Sequence, residues 1–230
     1  MDLELFITTK MLLLFKCLVL LIKMEGQINL GTPFGNEIYN ICKNTAYKTF
    51  CEIGTWNGRG TTRCIVQAII DKENSGDNMF WSVEADPKFY DLAVDFYQDK
   101  HSFLHLLKGT VNTRGVMSRE EVQNHPLFQS IYGHYVLHYD TEYNSFQNSE
   151  YVGNRIGDNI DVAILDGGEF STEGDFDFFR NKNVKMYILD DVNVIKCSRI
   201  RQELLQNPEY RLYKEDLSDR NGWSIFMKNI

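Results

Sequence analysis

The feature that most constrains the fold is an alternation, from about residue 31 onward, between short apolar runs and segments with helical periodicity. Strands that alternate with helices form a parallel sheet whose faces are covered by those helices. The predicted strands occupy residues 47–54, 79–86, 103–109, 161–168, 185–191, 210–217 and 222–228. A polar SDRN turn joins the last two runs and indicates an antiparallel pair. We therefore predict an α/β fold with a mostly parallel seven-stranded sheet, helices on both faces and an antiparallel final strand.

The predicted helices lie between these strands. They occupy residues 33–46, 61–71, 88–99 and 194–206. Thr61 and Thr62 open the second of them, and a Thr-rich start suits a helix N-cap. Pro87 precedes the third, where its fixed φ angle fits the first helical turn.

Composition narrows the environment and the partners of the chain. The sequence has 230 residues and a formal net charge of −8, without a long Lys/Arg cluster. An acidic surface repels phosphate backbones, so we do not expect nucleic acid as a partner. Five cysteines are scattered without a CxxC pair, which argues against a disulfide framework and a zinc site. This cysteine usage predicts a reducing, cytoplasmic compartment.

The first 24 residues form an apolar extension that we separate from a single domain spanning residues 25–230. Residues 11–22 read MLLLFKCLVLLI, which is shorter than the ~20 apolar residues of a membrane span and is interrupted by Lys16. Three interpretations stay open: a packed N-terminal helix, a true translation start at Met24, or a weak anchor on a membrane surface. Peripheral membrane association therefore stays an alternative to a purely cytoplasmic protein.

A long segment of about residues 111–159 separates the third and fourth predicted strands. Insertions of this length in compact domains are usually functional lids or disordered. Its aromatic density favours an ordered lid. The rings could contact a ligand, or they could pack the lid onto the sheet. The ring-bearing residues are Tyr132, Tyr135, His138, Tyr139, Tyr143, Phe146 and Tyr151.

Acidic residues collect at the ends of several predicted strands. They are Glu52, Glu84, Asp86, Asp166, Asp190 and Asp191. Ligands of open parallel sheets bind beyond the carboxyl ends of the strands, where these acids meet. Like charges held together in a crevice are costly without a ligand, so their coincidence indicates a binding site. Any one of them alone is an ordinary loop residue.

The turn after the first strand reads EIGTWNGRG, with glycines at 54, 58 and 60. This spacing departs from the G-x-G-x-x-G fingerprint of dinucleotide-binding proteins. The acid-x-Gly-x-x-x-Gly pattern of Glu52, Gly54 and Gly58 resembles the first motif of class I S-adenosylmethionine-dependent methyltransferases. In that family an acid at the end of strand two binds the ribose, and Glu84 holds this position here. The resemblance implies a Rossmann-like methyltransferase fold over residues 25–230 and S-adenosylmethionine as the cofactor.

The same resemblance implies a set of cofactor-binding residues along the first two strand ends and at the fourth. They are Glu52, Gly54, Thr55, Trp56, Asn57, Gly58, Glu84, Ala85 and Asp166.

Three aspartates at adjacent strand ends predict a cation site. Asp166 ends the fourth strand, and Asp190 and Asp191 end the fifth. Carboxylate oxygens suit a hard divalent cation such as Mg²⁺ or Mn²⁺. The arrangement is similar to that of metal-dependent O-methyltransferases of the catechol and macrocin types, which implies that these three residues are the metal ligands. Helix capping by Asp190 and Asp191, or direct substrate contact, is the alternative.

The proton acceptor of the reaction differs from that of the catechol enzymes. Their base is a Lys three residues beyond the strand-four Asp, whereas this chain has Glu169 there. Glu169 or Asp166 could accept the proton instead, and His138 of the lid is a further candidate. The departure at Glu169 argues against a plain catechol acceptor.

The predicted function is O-methylation of a sugar or glycan hydroxyl, assisted by a divalent cation, with a small phenolic or natural-product hydroxyl as the alternative. Aromatic lids over acidic residues hold carbohydrates by stacking and hydrogen bonding, which favours the sugar. The expected stacking residues are Tyr132, Tyr135, Tyr139 and Tyr143. Adjacent prolines and a Pro-Cys dipeptide are absent from the sequence, which argues against nucleobase methylation. A nucleotide-cofactor oxidoreductase and an inactive binding domain of the same fold are the rivals. The sequence leaves the oligomeric state open, with a homodimer as one alternative.

Overall fold

The computed structural model describes residues 26–73, 76–98 and 100–229. The apolar extension of residues 1–24, with its three interpretations, lies outside the described residues. Within the described ranges, no helix combines the length and the apolar character needed to cross a membrane. The four cysteines in these ranges are all buried as free thiols, namely Cys42, Cys51, Cys64 and Cys197.

Seven strands form one sheet in the order β3-β2-β1-β4-β5-β7-β6. The strands are β1 (Thr49–Ile53), β2 (Met79–Glu84), β3 (Leu104–Lys108), β4 (Asn159–Leu165), β5 (Asn183–Asp190), β6 (Tyr210–Asp216) and β7 (Trp223–Lys228). The first five run parallel, and β7 lies antiparallel between β5 and β6. This arrangement confirms the predicted mostly parallel sheet with an antiparallel final strand.

Helices cover both faces of the sheet. Within the described residues they are α1 (Pro33–Lys43), α2 (Thr61–Ile70), α3 (Pro87–Tyr97), α4 (Arg119–Gln123), α5 (Phe128–Gln147), α6 (Thr172–Arg180) and α7 (Ile195–Gln206). The start of α3 follows the sequence, because Pro87 takes the first turn and the Asp86 side chain accepts hydrogen bonds from the N–H groups of Lys88 and Phe89.

The predicted Thr cap of α2 is wrong. Gly60 holds the N-cap position and forms no side-chain cap bond. The hydroxyls of Thr61 and Thr62 donate instead to the carboxylates of Asp166 and Glu52, at 2.9 and 2.7 Å. The threonines therefore tie the helix start to two acidic strand ends rather than closing its own backbone.

The central strands are buried on both sides, which explains their continuous apolar sequences. In β1, Cys51 and Ile53 belong to the core that includes residues of α6 and α7, whereas Phe50 belongs to the core that includes residues of α1 and α2. Neighbouring β4 alternates in the same way. This two-sided burial fixes the strands, so their carboxyl ends form a rigid edge on which side chains can be positioned.

The segment between β3 and β4 contains α4, the 20-residue helix α5 and a short 3₁₀ turn at Gly153–Arg155. Helix α5 packs through Ile131, Tyr135 and Tyr139 against Phe170 of the β4–α6 loop. The Tyr139 hydroxyl also donates to the Met117 carbonyl, at 2.8 Å. These contacts hold α5 over the carboxyl edge of the sheet.

Candidate active site

A cavity of about 670 Å³ opens at the carboxyl ends of the parallel strands. Its volume lies in the range of small-molecule sites. One part of its wall comes from the ends of β1 and β2 and is called here the β1–β2 half. It contains Gly54, Thr55, Trp56, Glu84 and Ala85. The other part, called here the β4–β5 half, contains Asp166, Glu169, Asp190, Asp191 and Lys196. Helix α5 faces both.

Gly54 is required by the close approach of two strand ends. Its φ angle is +99°, and a Cβ atom there would lie 2.1 Å from the Asp166 carbonyl oxygen. A side chain would therefore meet backbone in a conformation that glycine alone adopts readily. The turn continues into Trp56, whose N–H donates to Glu84 Oε2 at 2.7 Å. The first turn and the second strand end are thus joined into one wall.

Glu84 ends β2 and presents a buried carboxylate to the cavity. Besides the Trp56 N–H, the Asp86 N–H donates to it at 2.8 Å. Burial raises the pKa of Glu84 to about 7, although both N–H donors oppose the shift. A carboxylate oxygen can accept more than one hydrogen bond, so Glu84 keeps capacity for two hydroxyls of a ligand.

Glu52 lies beneath the cavity and does not line it. Its Oε2 accepts from the hydroxyls of Thr62 and Ser82, at 2.7 and 2.6 Å. Its buried Oε1 has no hydrogen-bond partner among the described residues. Burial raises the pKa of Glu52 to about 8, although the two hydroxyls act in the opposite direction. The structure therefore places Glu52 in a positioning role between β1, β2 and α2.

The predicted cofactor-binding residues divide into two groups. Those that line the cavity are Gly54, Thr55, Trp56, Glu84, Ala85 and Asp166. Those that do not are Glu52, Asn57 and Gly58. Gly58 packs against α3, where its carbonyl accepts a 2.7 Å hydrogen bond from the Tyr97 hydroxyl. A Cβ at Gly58 would meet the Tyr97 ring at 2.7 Å, so the second glycine of the motif serves packing.

The three aspartates predicted to ligate a metal do converge, but a lysine ammonium lies between them. Lys196 Nζ is 2.8 Å from Asp166 Oδ1, 3.3 Å from Asp190 Oδ2 and 3.0 Å from Asp191 Oδ2. Arg220 forms a second ion pair with Asp190. Burial opposes the charge of Lys196, but the three carboxylates outweigh it and raise its pKa well above the ordinary value.

This cluster does not fit the predicted Mg²⁺ or Mn²⁺ site. Mg²⁺ needs ligand oxygens at about 2.0–2.1 Å. Here the point that the carboxylates share is taken by a positive group of the chain itself. Among the described residues, no group of His, Cys, Asp or Glu side chains has the arrangement of a metal site. The described residues therefore do not support the predicted divalent-cation site, and Asp166, Asp190 and Asp191 form an ion cluster with Lys196.

Helix capping does not explain the paired aspartates either. Helix α7 begins at Ile195 with Val194 at the N-cap, and no side chain caps it. Asp191 instead has a left-handed backbone with φ 56°. That conformation is uncommon outside glycine. The Asp191 carboxylate lies in the ion cluster, where it accepts a hydrogen bond from Lys196.

The three predicted catalytic residues, Asp166, Glu169 and His138, all line the cavity. Glu169 accepts a 3.1 Å hydrogen bond from the Lys196 backbone N–H. Burial raises the pKa of Glu169 to about 7, although Lys196 acts to lower it. His138 lies on α5 with its ring centroid 4.5 Å from that of His134.

Helix α5 supplies two further titratable residues that the sequence reasoning missed. His134 and Glu142 line the cavity together with His138. Glu142 accepts a 2.8 Å hydrogen bond from the Phe170 N–H, and burial raises its pKa. Burial lowers the pKa of His134, and the neighbouring His138 adds to the shift. The spacing of four residues places all three on one helix face, which is a signal that the sequence did offer.

The four tyrosines expected to stack on a sugar do not belong to the cavity wall. Tyr135 and Tyr139 are buried against Phe170, and Tyr132 and Tyr143 are exposed. Among the described aromatic residues, those that line the cavity include Trp56, Phe89 and Phe146.

Comparison of sequences gives no relative, since no protein-family model and no curated protein matches this chain. Solved structures do match. An O-methyltransferase from Bacillus cereus in complex with S-adenosylhomocysteine (SAH) has a TM-score of 0.57 and 12% identity, over 93% of this chain and 88% of that chain. The S-adenosylmethionine-bound O-methyltransferase TomG from Streptomyces achromogenes has a TM-score of 0.56 and 10% identity, over 88% of this chain and 82% of that one.

A third match is the SAH-bound methyltransferase PaMTH1 from Podospora anserina, with a TM-score of 0.55 and 9% identity, over 85% of this chain and 78% of that one. At such low identity these similarities show the fold. Together with the strand order, they show that the chain has the Rossmann-like fold of class I methyltransferases, as predicted.

Proposed function

We propose that this protein is an S-adenosylmethionine-dependent methyltransferase that methylates a hydroxyl group. The observation that carries the proposal is Glu84, a buried carboxylate at the tip of β2 that faces the same cavity as the Gly54 turn. A carboxylate in this place suits two vicinal ribose hydroxyls, because it accepts hydrogen bonds from both. The fold is shared with structures that hold S-adenosylmethionine or SAH.

The β1–β2 half fits the cofactor. Gly54 leaves room beside the backbone of the first turn, where a Cβ would collide with the Asp166 carbonyl. Glu84 would hold the ribose, and Trp56 and Phe89 offer apolar ring surface beside it, with centroids 5.9 Å apart. S-adenosylmethionine, when bound, supplies an electrophilic methyl group on its sulfonium.

Glu169 is the proton acceptor that we propose for the hydroxyl of the substrate. A pKa near 7 leaves a useful fraction ionised at neutral pH while keeping the group basic enough to take a proton. The hydroxyl proton would pass to the Glu169 carboxylate as the oxygen attacks the methyl group. His138 and His134 face the same space from α5 and are the alternatives.

We propose a sugar or glycan hydroxyl as the acceptor. Hydroxyl and carboxylate groups of α5, including Thr141, Glu142 and Ser145, line the cavity and suit a polyhydroxylated ligand. A small phenolic or natural-product hydroxyl is the second candidate, because His134, His138 and Phe146 bring ring surfaces to the same wall. We do not include a divalent cation in the reaction, since Lys196 lies where it would bind.

A methyl-transfer screen tests this proposal. Purified protein is incubated with S-adenosylmethionine and panels of sugars, glycans and phenols, with and without EDTA, and SAH release is measured. We expect release with at least one hydroxyl acceptor, unchanged by EDTA, and its loss in Glu84→Gln but not in Asp91→Asn. Asp91 is an exposed control on α3, with 68% of its side chain accessible. Retention of NAD without any binding of SAH would favour the oxidoreductase rival, and binding of neither would favour an inactive domain.

A further inference from the structure

The ion cluster of the β4–β5 half has a composition that resembles a metal site with its metal replaced. Three carboxylates from two adjacent strand ends surround one point, and the Lys196 ammonium occupies it. Only 6% of the Lys196 side chain is exposed, so this is not a surface lysine that happens to lie near acids. The position is fixed by the chain itself, since Lys196 is the second residue of α7 and its backbone N–H binds Glu169.

The hydrogen-bonding capacity of the ammonium matches the cluster. A lysine ammonium has three N–H donors, and the three carboxylates use all of them. Two further donors satisfy the outer oxygens, because Arg220 pairs with Asp190 and the Thr61 hydroxyl donates to Asp166. The carboxylates of the cluster therefore have hydrogen-bond donors as well as positively charged partners.

Two residues of the cluster have an uncommon backbone conformation. Asp191 and Arg220 both have left-handed φ angles, 56° and 52°. Such angles are uncommon outside glycine, and the other described non-glycine residues that have them are Trp56 and Gln98. Both residues direct their charged groups into this one cluster.

We infer that Lys196 is a built-in cation that replaces a divalent metal, so that Asp166, Asp190 and Asp191 form a latent metal site which opens only when the lysine side chain is removed. Lys196 is in this account a positioning residue, because it holds the carboxylates of Asp166 and Asp191 at the cavity wall. We also expect these carboxylates to accept a hydrogen bond from the acceptor hydroxyl, and this expectation rests on the proposed function. The occupancy of the cation position by Lys196 does not depend on that function.

Direct Mn²⁺ binding tests the inference without any need for activity. Free Mn²⁺ is followed by electron paramagnetic resonance in titrations of wild type, Lys196→Ala, Lys196→Gln, and Lys196→Ala combined with Asp166→Asn. Lys108→Ala is the matched control, because Lys108 forms an exposed ion pair with Asp91 away from the cluster. SAH binding is measured on the same samples by calorimetry, so a failure of the proposed cofactor is seen separately.

We expect no bound Mn²⁺ in wild type or Lys108→Ala at concentrations up to about 1 mM. We expect Lys196→Ala or Lys196→Gln to bind at least ~10-fold more tightly, within the range of simple carboxylate sites. The added Asp166→Asn change should remove that gain. A merely structural lysine would lower stability without creating metal affinity.

Tight Mn²⁺ binding by wild type would overturn the inference. So would failure of both Lys196 variants to bind Mn²⁺. Should the variants fold poorly, their melting transitions are recorded with and without Mn²⁺. Recovery of a cooperative transition in Mn²⁺ supports a latent site, whereas absence of any recovery counts against it.

Discussion

The β1–β2 half and the β4–β5 half of the cavity are built in different ways. The β1–β2 half is made of two local strand-end turns, in which Gly54 leaves space and Glu84 presents a carboxylate held by backbone N–H groups. The β4–β5 half is made of acidic and basic side chains that meet from the ends of β4 and β5, from α7 and from the β6–β7 turn. Backbone geometry shapes the β1–β2 half, whereas ion pairs between side chains hold the β4–β5 half together.

Because of this difference, we expect substitutions to lower the stability of the fold less in the β1–β2 half than in the β4–β5 half. Removing the Glu84 carboxylate from the β1–β2 half subtracts hydrogen bonds to a ligand and to two backbone N–H groups, but it leaves no ion-pair partner behind. Removing a charge from the β4–β5 half leaves its partners buried and uncompensated, which is more costly. Two substitutions within the β4–β5 half, one beneath the cavity at Glu52 and one outside it at Tyr132 test this contrast, in order of decreasing expected effect.

Lys196→Ala should lower the free energy of unfolding by about 3–5 kcal/mol, the usual cost of removing one partner from a buried ion pair. Three carboxylates would then face one another with Arg220 as the remaining cation of the cluster. Urea unfolding followed by circular dichroism measures the change, with Lys108→Ala as the exposed control. A loss under about 1 kcal/mol would mean that the cluster is solvated and that the contrast between the halves fails.

Glu169→Gln should reduce the rate of methyl transfer by about 100-fold or more while SAH affinity stays unchanged, because the substitution removes a base and not a cofactor contact. Single-turnover transfer and SAH calorimetry separate the two quantities. Undiminished transfer in Glu169→Gln would move the role of proton acceptor to His134 or His138. The same measurement on His138→Gln then identifies which side of the cavity takes the proton.

Glu52→Gln should change how stability depends on pH. The pKa of Glu52 is about 8 in the folded chain, against an ordinary value of 4.5, so the folded state binds more protons between these values. Wild-type stability should therefore fall from pH 4.5 to 8, by at most about 1.4 kcal/mol per pH unit from this group. The stability of wild type relative to Glu52→Gln should therefore fall as the pH rises across this range, as measured by thermal melting. A difference independent of pH would show that Glu52 is ionised in the fold.

Tyr132→Ala should have the smallest effect. The side chain is 55% exposed and does not line the cavity, so stability should change by less than about 0.5 kcal/mol. Acceptor KM should stay within about twofold of wild type. A larger rise in KM would restore the predicted stacking of a sugar on the outer tyrosines of α5.

Sequence reasoning recovered the sheet because the central strands are continuously apolar and end in acids. It also brought Glu84 and the Gly54 turn to one wall, since the ends of neighbouring parallel strands share an edge. It assigned a metal to the three aspartates because it considered the strand-end residues and not Lys196 of α7. Lys196 lies only five residues beyond Asp191, but its inward direction depends on how α7 docks on the sheet.

The residues of α5 show the same limit. Four-residue spacing places His134, His138 and Glu142 on one face, but spacing does not say which face meets the cavity. Burial of Tyr135 and Tyr139 against Phe170 decides that orientation. These contacts lie far apart in the chain, so the β4–β5 half could not be predicted as well as the local turns of the β1–β2 half.

SAH binding to wild type and Glu84→Gln tests the central claim most directly. Calorimetry should show that wild type binds SAH and that Glu84→Gln binds it at least ~10-fold more weakly, because a charged acceptor for two hydroxyls is lost. Asp91→Asn should bind like wild type, and a cooperative melting transition in each of the three proteins checks that it is folded. Equal SAH affinity in wild type and Glu84→Gln, or no SAH binding by wild type at millimolar ligand, would contradict the assignment of this cavity to S-adenosylmethionine.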